Sequence, residues 1–199
     1  MSRRFPVALC ALLLLLVVPD AAPATLSDTE TEASASFTAD GRLRPPADYR
    51  EWIFLTSGLD MNYRNDSATD HSMFDNVFVG PQAYRSFVRT GTWPEGTLIV
   101  KEGRTASEKG SINKSGKFQS GEAMGFEVHV KDSKRFARGW GFFFFESVRS
   151  EPTQMIPAAA PCYSCHGEHG AVDTTFVQFY PTLLSIATRK HTLSPGYRP

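Results

Sequence analysis

Cys162, Cys165 and His166 stand in the run Cys162-Tyr163-Ser164-Cys165-His166. Two thiols at this spacing can add across the two vinyl groups of a haem, and the next histidine then lies beneath the iron. One turn of chain thus supplies covalent attachment and axial ligation together. Three other chemistries use such a pair: a disulfide, a thioredoxin-like redox couple, or half of a zinc site. Structural zinc needs four Cys or His donors in recognisable pairs, and here the second pair would have to come from His169 and a remote histidine. A redox couple usually opens a βαβ unit, whereas this motif lies near the C-terminus without that pattern. A small electron-transfer cytochrome would be mostly helical, carry its motif near the N-terminus and supply a methionine downstream, but no methionine follows Met155. The motif therefore reads as a c-type haem site with an open sixth position.

The segments that must position this motif are mostly strand-like. Ser72 to Val79 is aromatic and β-branched and stops at Gly80-Pro81. Gly96 to Glu102 alternates, and Glu122 to Val130 alternates more cleanly: Met124, Phe126, Val128 and Val130 share one face, with Gly125, Glu127 and His129 on the other. Gly139 to Glu146 holds the unbroken run Phe142 to Phe145, which suits a strand buried on both faces. Pro81 to Thr90 reads as a helix, with proline at its first position, a stripe of Ala83, Tyr84, Phe87 and Val88, and Gly91 just beyond. The expected fold class is α+β and β-rich: an antiparallel sheet with a few packing helices and a C-terminal haem-attachment segment.

Ahead of this domain, residues 1–24 read as a secretory signal peptide. Arg3 and Arg4 form the charged start, Val7 to Val18 the apolar core, and cleavage is expected near Ala24. Export implies a periplasmic location. The apolar run is short for a bilayer crossing and none like it follows, so no membrane span is expected. Cys10 leaves with the leader. Residues 25–43 begin with a Thr-, Ser-, Ala- and Glu-rich stretch and read as a flexible tether, which leaves 44–199 as the haem domain. Lys plus Arg and Asp plus Glu both number 21. This neutrality gives no electrostatic footprint for nucleic acid.

Several blocks in one order resemble the cytochrome P-460 family, which includes the β-type cytochromes c′. They are Tyr49-Arg50-Glu51-Trp52, the run from Val77 to Tyr84, the run from Trp93 to Glu102, the run from Glu127 to Phe136, Gly139-Trp140, the haem motif, and the run from Phe176 to Pro181. The resemblance implies a β-rich homodimer with one covalent, five-coordinate haem c per chain and His166 as proximal ligand. It implies further that Lys101 matches a lysine bonded to the haem edge, and that Glu127 matches a distal carboxylate used in hydroxylamine oxidation. Products would be nitrous oxide or nitric oxide, and a c-type cytochrome would accept the electrons. A carboxylate in an apolar pocket is expected to have a raised pKa suited to proton transfer. The distal wall implied is aromatic: Phe74 is expected to cover the iron and His71 to be exposed on a loop, iron ligation by His71 being the alternative. Arg50 is a candidate for a haem propionate or a distal water, against an ordinary surface ion pair. His129 reads as a surface or structural histidine. The other class of function implied is capture of nitric oxide or carbon monoxide without turnover, as in the β-type cytochromes c′.

Overall fold

The computed structural model describes residues 33–61 and 72–198. The signal-peptide reading and His71 lie outside them. Five strands form one antiparallel meander in sequence order: β1 (Ile53–Leu59), β2 (Met73–Val79), β3 (Leu98–Ser107), β4 (Phe118–Lys131) and β5 (Trp140–Phe145). Helix α1 (Pro81–Thr90) links β2 to β3, while α2 (Pro161–His169) and α3 (Pro181–Lys190) follow the sheet. The α+β, β-rich class holds, and α1 has the bounds expected of it, with Gly91 left-handed at φ 79° and its N–H donating to the Phe87 carbonyl. Among the described residues, no helix is long and apolar enough to cross a membrane.

Each sheet face carries its own core because side chains alternate along a strand. Leu55, Val77, Val79, Ile99 and Phe142 pack on one face with Phe87 and Ala83 of α1, Trp93, Tyr163 of α2, and Leu183 and Ala187 of α3. Leu98, Val100, Phe126, Val128, Val130, Phe143 and Phe145 pack on the other with Leu43, Tyr49, Trp52 and Phe136.

Three expectations need correction. Leu43 is fully buried and its backbone exchanges hydrogen bonds with Thr153, both 2.9 Å, so the packed domain begins before residue 44 and takes in the described end of the expected tether. Met124 does not join the buried stripe of β4; it is 54% exposed. Gly125 at φ 117° and a register shift between Glu102 and Arg104 break the alternation there, as a bulge does. Phe144 is likewise half exposed, so β5 is buried on both faces only in part.

Candidate cofactor site

Pro161 opens α2, and the Ser164 hydroxyl donates to its carbonyl at 2.9 Å. On a helix, residues three and four apart lie on the same side. Cys162, Cys165 and His166 therefore share one face, and all three line a cavity of about 500 Å3, a ligand-sized volume. Tyr163 points the other way and anchors the helix: its ring stacks on Phe142 at 4.4 Å, and its hydroxyl accepts the Phe142 N–H and donates to the Ile156 carbonyl, both at 3.2 Å. The two cysteines are free thiols. Burial, followed by the nearby Glu168 and Cys162, pushes the Cys165 thiol up, whereas a redox couple needs a thiolate of lowered pKa. Among the described residues, no group of three or more His, Cys, Asp or Glu side chains could hold a metal ion.

The His166 protonation pattern follows from its surroundings. Burial first, then His129, lowers its pKa to about 4, so at neutral pH the ring carries one proton. Nδ1 lies 2.9 Å from the Thr174 carbonyl, which can only accept. The proton is therefore on Nδ1, and Nε2 keeps its lone pair for a metal. Phe176 and Phe142 flank the ring at 4.2 and 4.8 Å between centroids. Two thiols and a neutral imidazole on one helix face, opening on a ligand-sized and largely apolar space, fit a haem.

The opposite wall is the sheet, contributing alternate residues: Met73, Asp75 and Val77 of β2, Ile99 and Lys101 of β3, and Glu127 and His129 of β4. Register makes the polar group. Val77 pairs with Lys101 and Lys101 with Glu127 across three neighbouring strands. The Lys101 ammonium lies 3.2 Å from both Asp75 Oδ1 and Glu127 Oε1, and His129 Nε2 lies 3.8 Å from Glu127 Oε2. Burial would lower the Lys101 pKa, but Glu127 and Asp75 outweigh it and raise it. Burial likewise pushes Glu127 up, yet the His129 ring beside it and the charge of Lys101 bring it down to about 2. The expected raised carboxyl is thus corrected: a cation and a donor sit where solvent or apolar groups were expected.

Two further candidates fall outside the cavity. Phe74 alternates with Met73 and Asp75 and so belongs to the opposite sheet face, where its strand neighbours are Leu59 and Arg104. Arg50 does make an ion pair, 2.5 Å to Glu102, but with a buried and sequence-distant carboxylate rather than the neighbouring surface acid of its alternative reading. Glu102 is fully buried on that far face, held also by Tyr49 and by Arg104 at 2.5 Å. The sequence reading missed Asp75, Met61 and Met73 as lining residues and underrated His129, whose ring meets that of His166 edge-on at 4.9 Å. His129 was legible from its parity with Glu127. Asp75 needed the β2–β3 register.

The sequence matches a family model described as Cytochrome P460 over residues 46–177, a span that includes every residue of the cavity wall named above. None of the curated proteins searched matches the chain.

Proposed function

The chain belongs to the cytochrome P460 family, and from that premise we propose that it is an exported, periplasmic cytochrome with one covalently attached haem c that oxidises hydroxylamine to nitrous oxide or nitric oxide. The observation that carries the reading is the meeting, in one cavity, of Cys162, Cys165 and His166 with Lys101 and Glu127. A bound haem would supply a redox-active iron that takes electrons from the nitrogen substrate. In this reading Cys162 and Cys165 hold the group by thioether bonds, and His166 Nε2 faces the iron with Nδ1 committed to Thr174. Glu127 accepts the protons that leave hydroxylamine as its electrons leave. Lys101 governs how good a base Glu127 is. As a free ammonium it holds the carboxylate at low pKa; bonded through Nζ to the haem edge, it would lose that charge and Glu127 would become more basic. The cross-link and the proton transfer are therefore coupled in this proposal. A c-type cytochrome as electron acceptor and a homodimeric assembly complete the reading and rest on the family resemblance.

A second reading, capture of nitric oxide or carbon monoxide without turnover, is favoured by one observation: with Lys101 unbonded, Glu127 is pinned at about 2 and is a weak base. One experiment separates the two. The full chain is produced with haem-attachment machinery, its mass and ferrous spectrum are recorded, and hydroxylamine is added with an artificial electron acceptor. The proposal expects attached haem, a main band far to the red of an ordinary c-type haem, and turnover that falls about 10²–10⁴-fold in Glu127→Gln. Binding of nitric oxide without hydroxylamine turnover would establish the second reading. A chain free of haem would overturn both.

A further inference from the structure

We infer that the turn Val172–Thr175 is a positioning device for His166, setting the hydrogen bond that the ring donates and thereby its donor strength toward a haem iron. The inference rests on the reading of His166 as axial ligand. The turn is closed by three bonds: Thr175 N–H to the Val172 carbonyl at 2.8 Å, Val172 N–H to the Thr175 carbonyl at 3.3 Å, and the Thr175 hydroxyl to the Val172 carbonyl at 2.7 Å. Its central residues, Asp173 and Thr174, are both left-handed, at φ 47° and 59°. Glycine, asparagine and aspartate dominate such turns, and a β-branched residue there is an outlier. Strain of this kind persists only where the surroundings over-determine it.

Here they do. Trp93 Nε1 donates to the Thr175 hydroxyl at 2.8 Å, and Lys131 Nζ donates to the Trp93 carbonyl at 2.8 Å while pairing with the Asp173 carboxylate. Val172, Thr175 and Trp93 are buried. Gly170 admits the turn to the end of α2, since a Cβ there would lie 2.6 Å from the His166 carbonyl and 2.7 Å from Thr174 Cα. What this clamp delivers is the Thr174 carbonyl, 2.9 Å from His166 Nδ1. Hydrogen bonding of one ring nitrogen raises the basicity of the other and fixes the ring's orientation. Lys131, Asp173, Thr174 and Gly170 thus act on the ligand without touching its metal-binding nitrogen.

The test uses the full haem-loaded chain and two readouts, the ferrous His166–iron stretching band by resonance Raman and the reduction potential. Lys131→Met should move the band to lower wavenumber and raise the potential, because a slacker hydrogen bond makes the ring a poorer donor to ferric iron, and Lys131→Arg should restore both. Thr174→Gly removes the strained Cβ, so it should raise the melting temperature while still moving the band down, a pairing that a merely structural role would not produce. An unmoved band and potential in Lys131→Met and Thr174→Gly would overturn the inference while leaving the function intact. A parent chain without covalent haem would instead overturn the functional reading beneath it.

Discussion

Replacing Lys101 by methionine removes the ammonium that lies 3.2 Å from both Glu127 and Asp75. At an effective dielectric constant near 20, two unit charges at this range interact by roughly 5 kcal/mol. Glu127 is 40% exposed, so solvent screening cuts the attraction to about 1 kcal/mol. That corresponds to a rise of roughly one pKa unit for the Glu127 carboxyl, with the neighbouring His129 still holding it below its ordinary value. Lys101→Arg is the control: it keeps the charge, so Glu127 stays low, and like the methionine variant it lacks the lysine amine needed for a haem bond. The comparison is thereby independent of cross-linking. The sign on stability follows from the lowered folded-state pKa: the contribution of Glu127 is present above the unfolded carboxyl value and is lost as pH falls toward about 2. The loss begins at the same unfolded value in both variants, but it is smaller and is complete at higher pH in Lys101→Met than in Lys101→Arg. Infrared titration of carbon-13-labelled glutamate, differenced against Glu127→Gln in each background, reads the carboxyl directly. Equal Glu127 titrations in the methionine and arginine variants would refute the ion pair and the proposed control of Glu127 by Lys101.

His166→Ala should keep haem covalently bound through Cys162 and Cys165 while changing its spin state, which mass spectrometry and absorption spectra of the same sample check together. Met73 lines the cavity, and a five-coordinate site requires that Met73→Leu leave the ferrous spectrum unaltered; a spectral change would assign a thioether to the sixth position. Glu102→Gln strikes the buried cluster on the far face of the sheet, where Tyr49, Arg50 and Arg104 converge on one carboxylate. Its cost should be about 2 kcal/mol in denaturant unfolding with no change in the haem spectrum. Burial raises the Glu102 carboxyl, but Tyr49 and the two arginines outweigh it and lower it, so this difference from the parent should shrink as pH falls below the ordinary carboxylate range.

Whatever is encoded within a few residues was legible from the sequence. The attachment motif is a local spacing, and the helix Pro81–Thr90 carries its own start, stripe and stop. Period two also placed Glu127 and His129 together, because alternation is a property of a single strand. Tertiary structure decided the rest, since it brings distant segments into register. The alternation of β2 separates Phe74 from Met73 and Asp75 without saying which set faces the cavity, and only packing of α2 and α3 on one side of the sheet chose Asp75. Arg50 went to Glu102, a partner 52 residues away. The sign of the Glu127 shift turned on the β3–β4 pairing: burial alone raises a carboxyl, whereas an ammonium on the next strand lowers it. The Thr174 carbonyl that orients His166 leaves no mark in residue type, because a backbone group is present at every position and only the folded turn aims it.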